Sequence, residues 1–250
     1  MQAANDSRTE ADDPYAVMSY YYDTFAAVSS TAAQTAPHAS AFLSFAKPGD
    51  RVVDLGAGTG STALPLAELG CTVHAAEPSR SMRSVLLSKL AARPQLHPRL
   101  TVTDLDVPFP EADYAMLAGV LQCLSPHRCR ELLTRVVDCL RPGGLVALDM
   151  VGHEPVCSSP LTRVAEARAG RCGYEMWVES APLAGPAGRQ RIEYRQYLDG
   201  KLLTSEAVVR SVYVHTRQEV HAELTGLGFT VLVPPETSDL PVDFVIARRD

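Results

Sequence analysis

What the chain lacks narrows its function first. Six cysteines occur in 250 residues, at positions 71, 123, 129, 139, 157 and 172, and no two form a C-x-x-C pair. That absence removes the zinc knuckle and the thiol–disulfide redox motif. There is no dense basic run: Arg189-Gln190-Arg191 is too short, and 29 acidic against 23 basic residues leave a net charge of −6. Such a balance is not that of a chain gripping nucleic acid phosphates. Apolar runs such as Met116–Leu121 fall far short of the roughly 20 residues that span a bilayer. The opening residues, Met1-Gln2-Ala3-Ala4-Asn5-Asp6, carry neither the positive nor the apolar segment of a secretory signal. The expectation is a cytoplasmic protein with free thiols, a monomer or homodimer, that partners neither nucleic acid nor membrane.

What is present describes an ordinary globular chain, 46% hydrophobic and 21% charged, long enough for one large domain or one with an appendage. Residues 1–14 are polar and read as a disordered tail. Tyr15, Met18, Tyr22 and Phe25 then fall at helical spacing up to about Val28, and a second amphipathic helix is predicted over His38–Ala46. From residue 51 on, strands (Arg51–Leu55, Cys71–Ala76, Leu100–Thr103, Asp113–Leu117, Leu145–Met150) alternate with helices (Ser61–Leu69, Met82–Ala91, His127–Leu140). That alternation implies an α/β fold, a parallel sheet wrapped on both faces. The period then drops to two over Tyr174–Ala181, Gln190–Leu198 and Leu202–Val214, with Asp199-Gly200 as a hairpin turn. Thr216 and Glu219 spell a capping box for a helix ending at Gly226 or Gly228, and Phe229–Val233 and Val242–Ala247 read as the last strands. The expected architecture is a doubly wound, seven-stranded, mostly parallel sheet over residues 15–151 and 215–250. A helical lid precedes it, and an antiparallel β insert, residues 152–214, follows the fifth strand.

The sharpest local signal is the strand Val52-Val53-Asp54-Leu55 running into Gly56-Ala57-Gly58-Thr59-Gly60 and then a helix. Closely spaced glycines let backbone approach a ligand at a helix start, where free N–H groups favour an anion. A phosphate-cradling P-loop needs Gly-Lys-Ser/Thr after its glycines, and here Ser61 follows Gly60 directly. A dinucleotide fold needs G-x-G-x-x-G, whereas this spacing is G-x-G-x-G, which disfavours a nicotinamide dehydrogenase. A tight turn with no ligand is the remaining plain alternative. Glu77 ends the second strand 21 residues after Gly56. That is about the ~20 typical of acids that accept hydrogen bonds from ribose hydroxyls. Alone, it would be read as a solvated strand-end charge.

The stretch Asp54-Leu55-Gly56-Ala57-Gly58-Thr59-Gly60 resembles the first motif of class I S-adenosylmethionine-dependent methyltransferases. The resemblance continues through Glu77-Pro78-Ser79-Arg80-Ser81-Met82, Asp104-Leu105-Asp106-Val107-Pro108-Phe109, Ala118-Gly119-Val120-Leu121-Gln122-Cys123-Leu124 and Leu140-Arg141-Pro142-Gly143-Gly144, covering about residues 48–150. It implies a Rossmann-like fold with S-adenosylmethionine as cofactor and S-adenosylhomocysteine as product. It places Gly56, Gly58 and Gly60 along the methionine half, Glu77 on the ribose, Met82 on the adenine face, Asp104 at the adenine amino group, and Leu121 and Gln122 beside the sulfonium. Asp54, Ala57, Pro78 and Leu105 complete the implied cofactor contacts, with Tyr22 reaching in from the lid. The insert is similar in position to the cover sheet of small-molecule methyltransferases acting on sugars and natural products. The implied partner is a small-molecule substrate, methylated at an O or N atom, in secondary metabolism. The alternative is a protein that binds S-adenosylmethionine without transferring its methyl, for a rearrangement, a cyclisation or sensing.

A hydroxyl acceptor does better with a general base, and His153 and Glu154, just past the fifth strand, are the catalytic candidates, against a plain loop reading. Tyr15 is a candidate substrate contact, against core packing. So is Trp177, which alternates with Tyr174 and Met176 in the insert, against sheet packing. His127, His215 and His221 read as surface or helix-end residues. No acidic cluster for a metal is legible.

Overall fold

The protein is described by a computed structural model over residues 13–26, 41–150, 155–232 and 244–250. In chain order its elements are α1 (Tyr15–Ala26), β1 (Arg51–Leu55), α2 (Ala63–Leu69), β2 (Thr72–Ala76), α3 (Arg80–Ala91), β3 (Leu100–Thr103), β4 (Ala112–Leu117), α4 (Pro126–Cys139), β5 (Leu140–Asp149), β6 (Ser159–Ala169), β7 (Cys172–Pro182), β8 (Ala187–Leu198), β9 (Lys201–Tyr213), α5 (Arg217–Gly226), β10 (Phe229–Leu232) and β11 (Phe244–Arg249).

Short apolar runs such as Val52-Val53-Asp54-Leu55 are buried at every position, as strands covered on both faces must be. Seven strands form one sheet in the order β10-β11-β5-β4-β1-β2-β3. The first five in sequence are parallel, and β11 runs antiparallel to both β5 and β10. One face packs on Leu66, Leu86 and Phe42, the other on Leu133, Val136 and Leu224. Side-chain caps fix the helix starts: Ser79 accepts from the Met82 N–H, Ser125 from that of Arg128, and Thr216 with Glu219 forms a full capping box.

β6–β9 form a separate antiparallel sheet. Its β8–β9 turn, Asp199-Gly200, has positive φ at both residues (48° and 78°), the twist that matches a two-residue hairpin. One face of this sheet, carrying Tyr174, Met176, Val178, Ile192, Tyr194 and Val208, packs on Met18, Tyr21 and Phe25 of α1. The Tyr21 and Tyr194 rings stack 4.6 Å apart at 8°. α1 is thereby held between the insert and the core.

Several boundaries differ from the sequence expectation. The insert has four strands, not three; β6 is missing from the reading because only Ala167 of its eleven residues is buried, so no alternation marks it. β5 starts at Leu140 rather than Leu145, with a register shift against β4. His215, read from the sequence as a surface or helix-end residue, stands at the helix end, just before Thr216, the N-cap of α5, and is buried there with its Nε2 2.8 Å from the Leu124 carbonyl oxygen. The predicted tail up to residue 12, the start of the His38–Ala46 helix, Val233 and residues 242–243 lie outside the described residues; residues 41–44 are helical. All six cysteines are free, and no helix among the described residues is long and apolar enough to cross a membrane.

Candidate active site

The sheet order reverses between β1 and β4, and crevices open at the carboxyl ends of strands at such points. β1 ends there in glycines held at positive φ: Gly56 at 73°, Gly58 at 55° and Gly60 at 88°, a region that L side chains disfavour. Their surroundings differ. A Cβ on Gly60 would stand 2.3 Å from Leu86 Cδ1 and one on Gly56 2.6 Å from Val120 Cγ2, whereas on Gly58 nothing comes nearer than the Gly56 carbonyl at 4.0 Å. Gly60 therefore serves the packing of the loop on α3 rather than the ligand contact implied for it, Gly56 admits the loop after β4, and Gly58 leaves open space above its backbone.

Glu77, at the end of β2, closes the loop from the side. Its Oε2 accepts from the Gly58 N–H and its Oε1 from the Ser79 N–H, both at 2.8 Å. Burial pushes its carboxyl up, against the two N–H donors and Arg83. Each carboxylate oxygen retains acceptor capacity. Beneath the loop Asp54 is fully buried; Oδ2 accepts from the Thr62 hydroxyl at 2.7 Å, while Oδ1 has no partner among the described residues. Desolvation drives the Asp54 carboxyl up to about 7, with the Glu77 charge adding to it.

Above these groups lies a cavity of about 830 Å³, within the range of small-molecule sites. Gly56, Gly58, Glu77, Pro78, Met82 and Leu105 line one side; the loop after β4 contributes Ala118, Gly119, Val120, Cys123 and Leu124. The N-terminal segment adds Asp13 through Val17 and Tyr22, and β9 adds Ala207 through Ser211 and Tyr213. The Tyr15 hydroxyl donates to Cys123 Sγ at 3.1 Å. Burial raises the Tyr15 and Tyr22 hydroxyls above the usual phenol range, so both are neutral. α1 is pinned over the cavity by polar contacts. Asp23 accepts from the Thr59 hydroxyl at 2.7 Å and pairs with Lys89 at 2.7 Å, and Asp13 accepts from the Ser79 hydroxyl at 2.7 Å.

Of the residues singled out in the sequence, Gly56, Gly58, Glu77, Pro78, Met82, Leu105, Tyr15 and Tyr22 meet at this cavity. Asp54, Ala57 and Leu121 are buried without lining it. Asp104 is bound to Arg83 at 2.8 Å, and neither it nor Gln122 lines the cavity. Trp177 is on the wrong face: side chains alternate along a strand, so Tyr174, Met176 and Val178 face α1 while Trp177 turns away. Its indole N–H donates to Glu175 at 2.9 Å and the Arg195 guanidinium covers its ring at 4.4 Å. His153 and Glu154 lie outside the described residues. Asp13 and Pro14, assigned to the tail, line the cavity. Arg210 was missed; the available signal was its parity with the apolar Val208 and Val212 in β9. Among the described residues no group of three His, Cys, Asp or Glu is placed to hold a metal.

Residues 53–146 match the family described as a methyltransferase domain. No curated protein sequence matches the chain. Solved structures do. CalS10 from Micromonospora echinaspora, an amino pentose methyltransferase solved with S-adenosylmethionine bound, superposes with a TM-score of 0.69 at 17% identity, over 94% of this chain and 97% of its own. DesVI from Streptomyces venezuelae gives 0.68 at 15% identity over 97% and 100%. The sugar N-methyltransferase KedS8 from Streptoalloteichus sp. gives 0.66 at 16% identity over 87% of both chains. The glycine loop, Glu77 and the two sheets thus sit in a Rossmann-like fold shared with these structures, and the stretch that carries the loop and the acid, residues 53–146, is similar to the methyltransferase-domain family.

Proposed function

We propose that the chain transfers a methyl group from S-adenosylmethionine to an O or N atom of a small metabolite held in the cavity between the glycine loop and β9, in a cytoplasmic pathway of secondary metabolism. The observation that carries this reading is that one cavity joins Gly58 and Glu77 on one side to α1 and β9 on the other. The residues fit the cofactor. Gly58 leaves an open cradle, Glu77 has acceptor capacity left for ribose hydroxyls, and Met82 and Leu105 offer soft apolar surface for a purine. When bound, the cofactor supplies a methyl already activated on a sulfonium, with a neutral thioether as leaving group.

What remains for the protein is alignment in a dry site. α1 and β9 wall the cavity and limit the water that reaches it. Tyr15 and Tyr22, neutral because they are buried, can donate to or accept from an acceptor and orient it, but they do not remove its proton. A neutral amine needs no proton removed before attack. A hydroxyl acceptor uses a base, and His153 or Glu154 past β5 is the proposed source. The names of CalS10 as an amino pentose methyltransferase and KedS8 as a sugar N-methyltransferase favour a sugar or related natural product.

The test is stoichiometric. Purified protein with S-adenosylmethionine and a panel of amino sugars and phenols should form one S-adenosylhomocysteine per methylated product. Product without S-adenosylhomocysteine would move the assignment to a non-methylating use of the sulfonium.

A further inference from the structure

We infer that the methyl acceptor carries an anionic group, a carboxylate or phosphoryl oxyanion, bound by the Arg210 guanidinium; the inference rests on the methyltransferase reading of the cavity. Arg210 stands on the α1-facing side of β9, between Val208 and Val212, which are 8% and 5% exposed, and it lines the cavity. Its cross-strand neighbour is Gln190, whose Oε1 accepts from Arg210 Nε at 3.1 Å and Nη2 at 2.9 Å. One edge of the guanidinium is thus fixed by a neutral amide. The Nη1 donors and the outer Nη2 hydrogen have no partner among the described residues, and together they form the fork that takes two oxygens of a carboxylate or phosphate.

The opposite face of the same sheet shows what this side withholds. There Arg191 and Arg195 share Glu193 at 2.5 and 2.6 Å, and Arg163 pairs with Glu175 at 2.9 Å. Arg210 alone on the inner face of β9 is a cation held rigid without a carboxylate within ion-pair distance among the described residues. A charge against an apolar wall without a counter-ion costs stability, and an arrangement that also fixes its orientation suits a ligand that brings the anion. The placement suits an acceptor. Tyr15, Tyr22, Glu77 and Arg210 all line this one cavity, so the cation on β9 faces the same space as the acid at the glycine loop.

Three probes separate the outcomes: benzoate, phenyl phosphate and the neutral isostere benzamide, each titrated into protein saturated with S-adenosylhomocysteine. At least one anion should bind at least about tenfold tighter than benzamide, the scale of one charge-assisted hydrogen bond, and which of the two does so tells carboxylate from phosphate. Arg210→Gln should abolish the preference and Arg210→Lys should keep part of it, both with unchanged S-adenosylhomocysteine affinity and unchanged or raised melting temperature. Equal binding of all three probes, no binding of either anion, or a preference that survives Arg210→Gln overturns the inference. So does a loss of S-adenosylhomocysteine affinity in that variant, which would give Arg210 to the cofactor's own carboxylate. Failure of the wild-type protein to bind S-adenosylhomocysteine at all overturns the methyltransferase reading instead.

Discussion

At the scale of single residues, Gly58 and Gly60 share a left-handed backbone but not a consequence. An Asp side chain at Gly58 enters open space in a conformation that Asp tolerates better than most residues, and sets a second carboxylate beside Glu77. Gly58→Asp is expected to keep its circular dichroism spectrum and lose S-adenosylhomocysteine affinity by more than about tenfold. Gly60→Ala drives a methyl into Leu86, with Leu64 close behind, and is expected to destabilise the fold by about 1–3 kcal/mol in urea denaturation. If Gly58→Asp unfolds the chain instead, the open cradle is misplaced. Asp54 makes a pH-dependent contribution. Its folded carboxyl titrates near 7, above its unfolded value, so between about pH 4 and 7 the folded state binds the extra proton and stability falls as pH rises. From pH 5 to 8 that loss is about 3 kcal/mol, and Asp54→Asn should remove most of it when ligand-free protein is denatured at both pH values.

At the scale of elements, α1 is the piece on which enclosure depends. Tyr21 stacks on Tyr194 and its hydroxyl donates to Glu206 at 2.9 Å, so Tyr21→Ala removes the main attachment of α1 to the insert. Truncating a buried aromatic costs about 3–5 kcal/mol. Undocking α1 is expected to speed S-adenosylhomocysteine release by about tenfold or more in stopped-flow displacement. An unchanged release rate would show that α1 does not close the site. This element was legible in outline: the helical spacing of Met18 and Phe25 marks its buried face, whereas the partner of Tyr21 lies 173 residues away on β8 and no local pattern shows it. The parallel strands were legible because burial on both faces leaves continuous apolar runs. β6 was not, because a strand exposed along most of its length has no such run. Trp177 alternates with Tyr174 and Met176, and since these two face α1, the alternation itself turns Trp177 away from the cavity, which leaves the sheet-packing reading. Arg210 follows the same parity rule, and its position on the apolar stripe of β9 is visible once Val208 and Val212 are counted with it.

At the scale of the whole molecule, a seven-stranded sheet supplies the glycine loop and Glu77 at its switch point, and a second sheet with α1 encloses what lies above them. The first half of that arrangement was carried by residues close together in sequence, the loop and the acid 21 positions on. The second half depends on contacts between α1, β9 and the loop after β4, elements separated by about a hundred residues or more. The central claim is that this cavity binds S-adenosylmethionine, and the most direct test is calorimetric titration with S-adenosylmethionine and S-adenosylhomocysteine, with NADH as control. Binding of both at micromolar affinity, with none of NADH, is the expected result. Binding of NADH and neither of the sulfonium pair would contradict it.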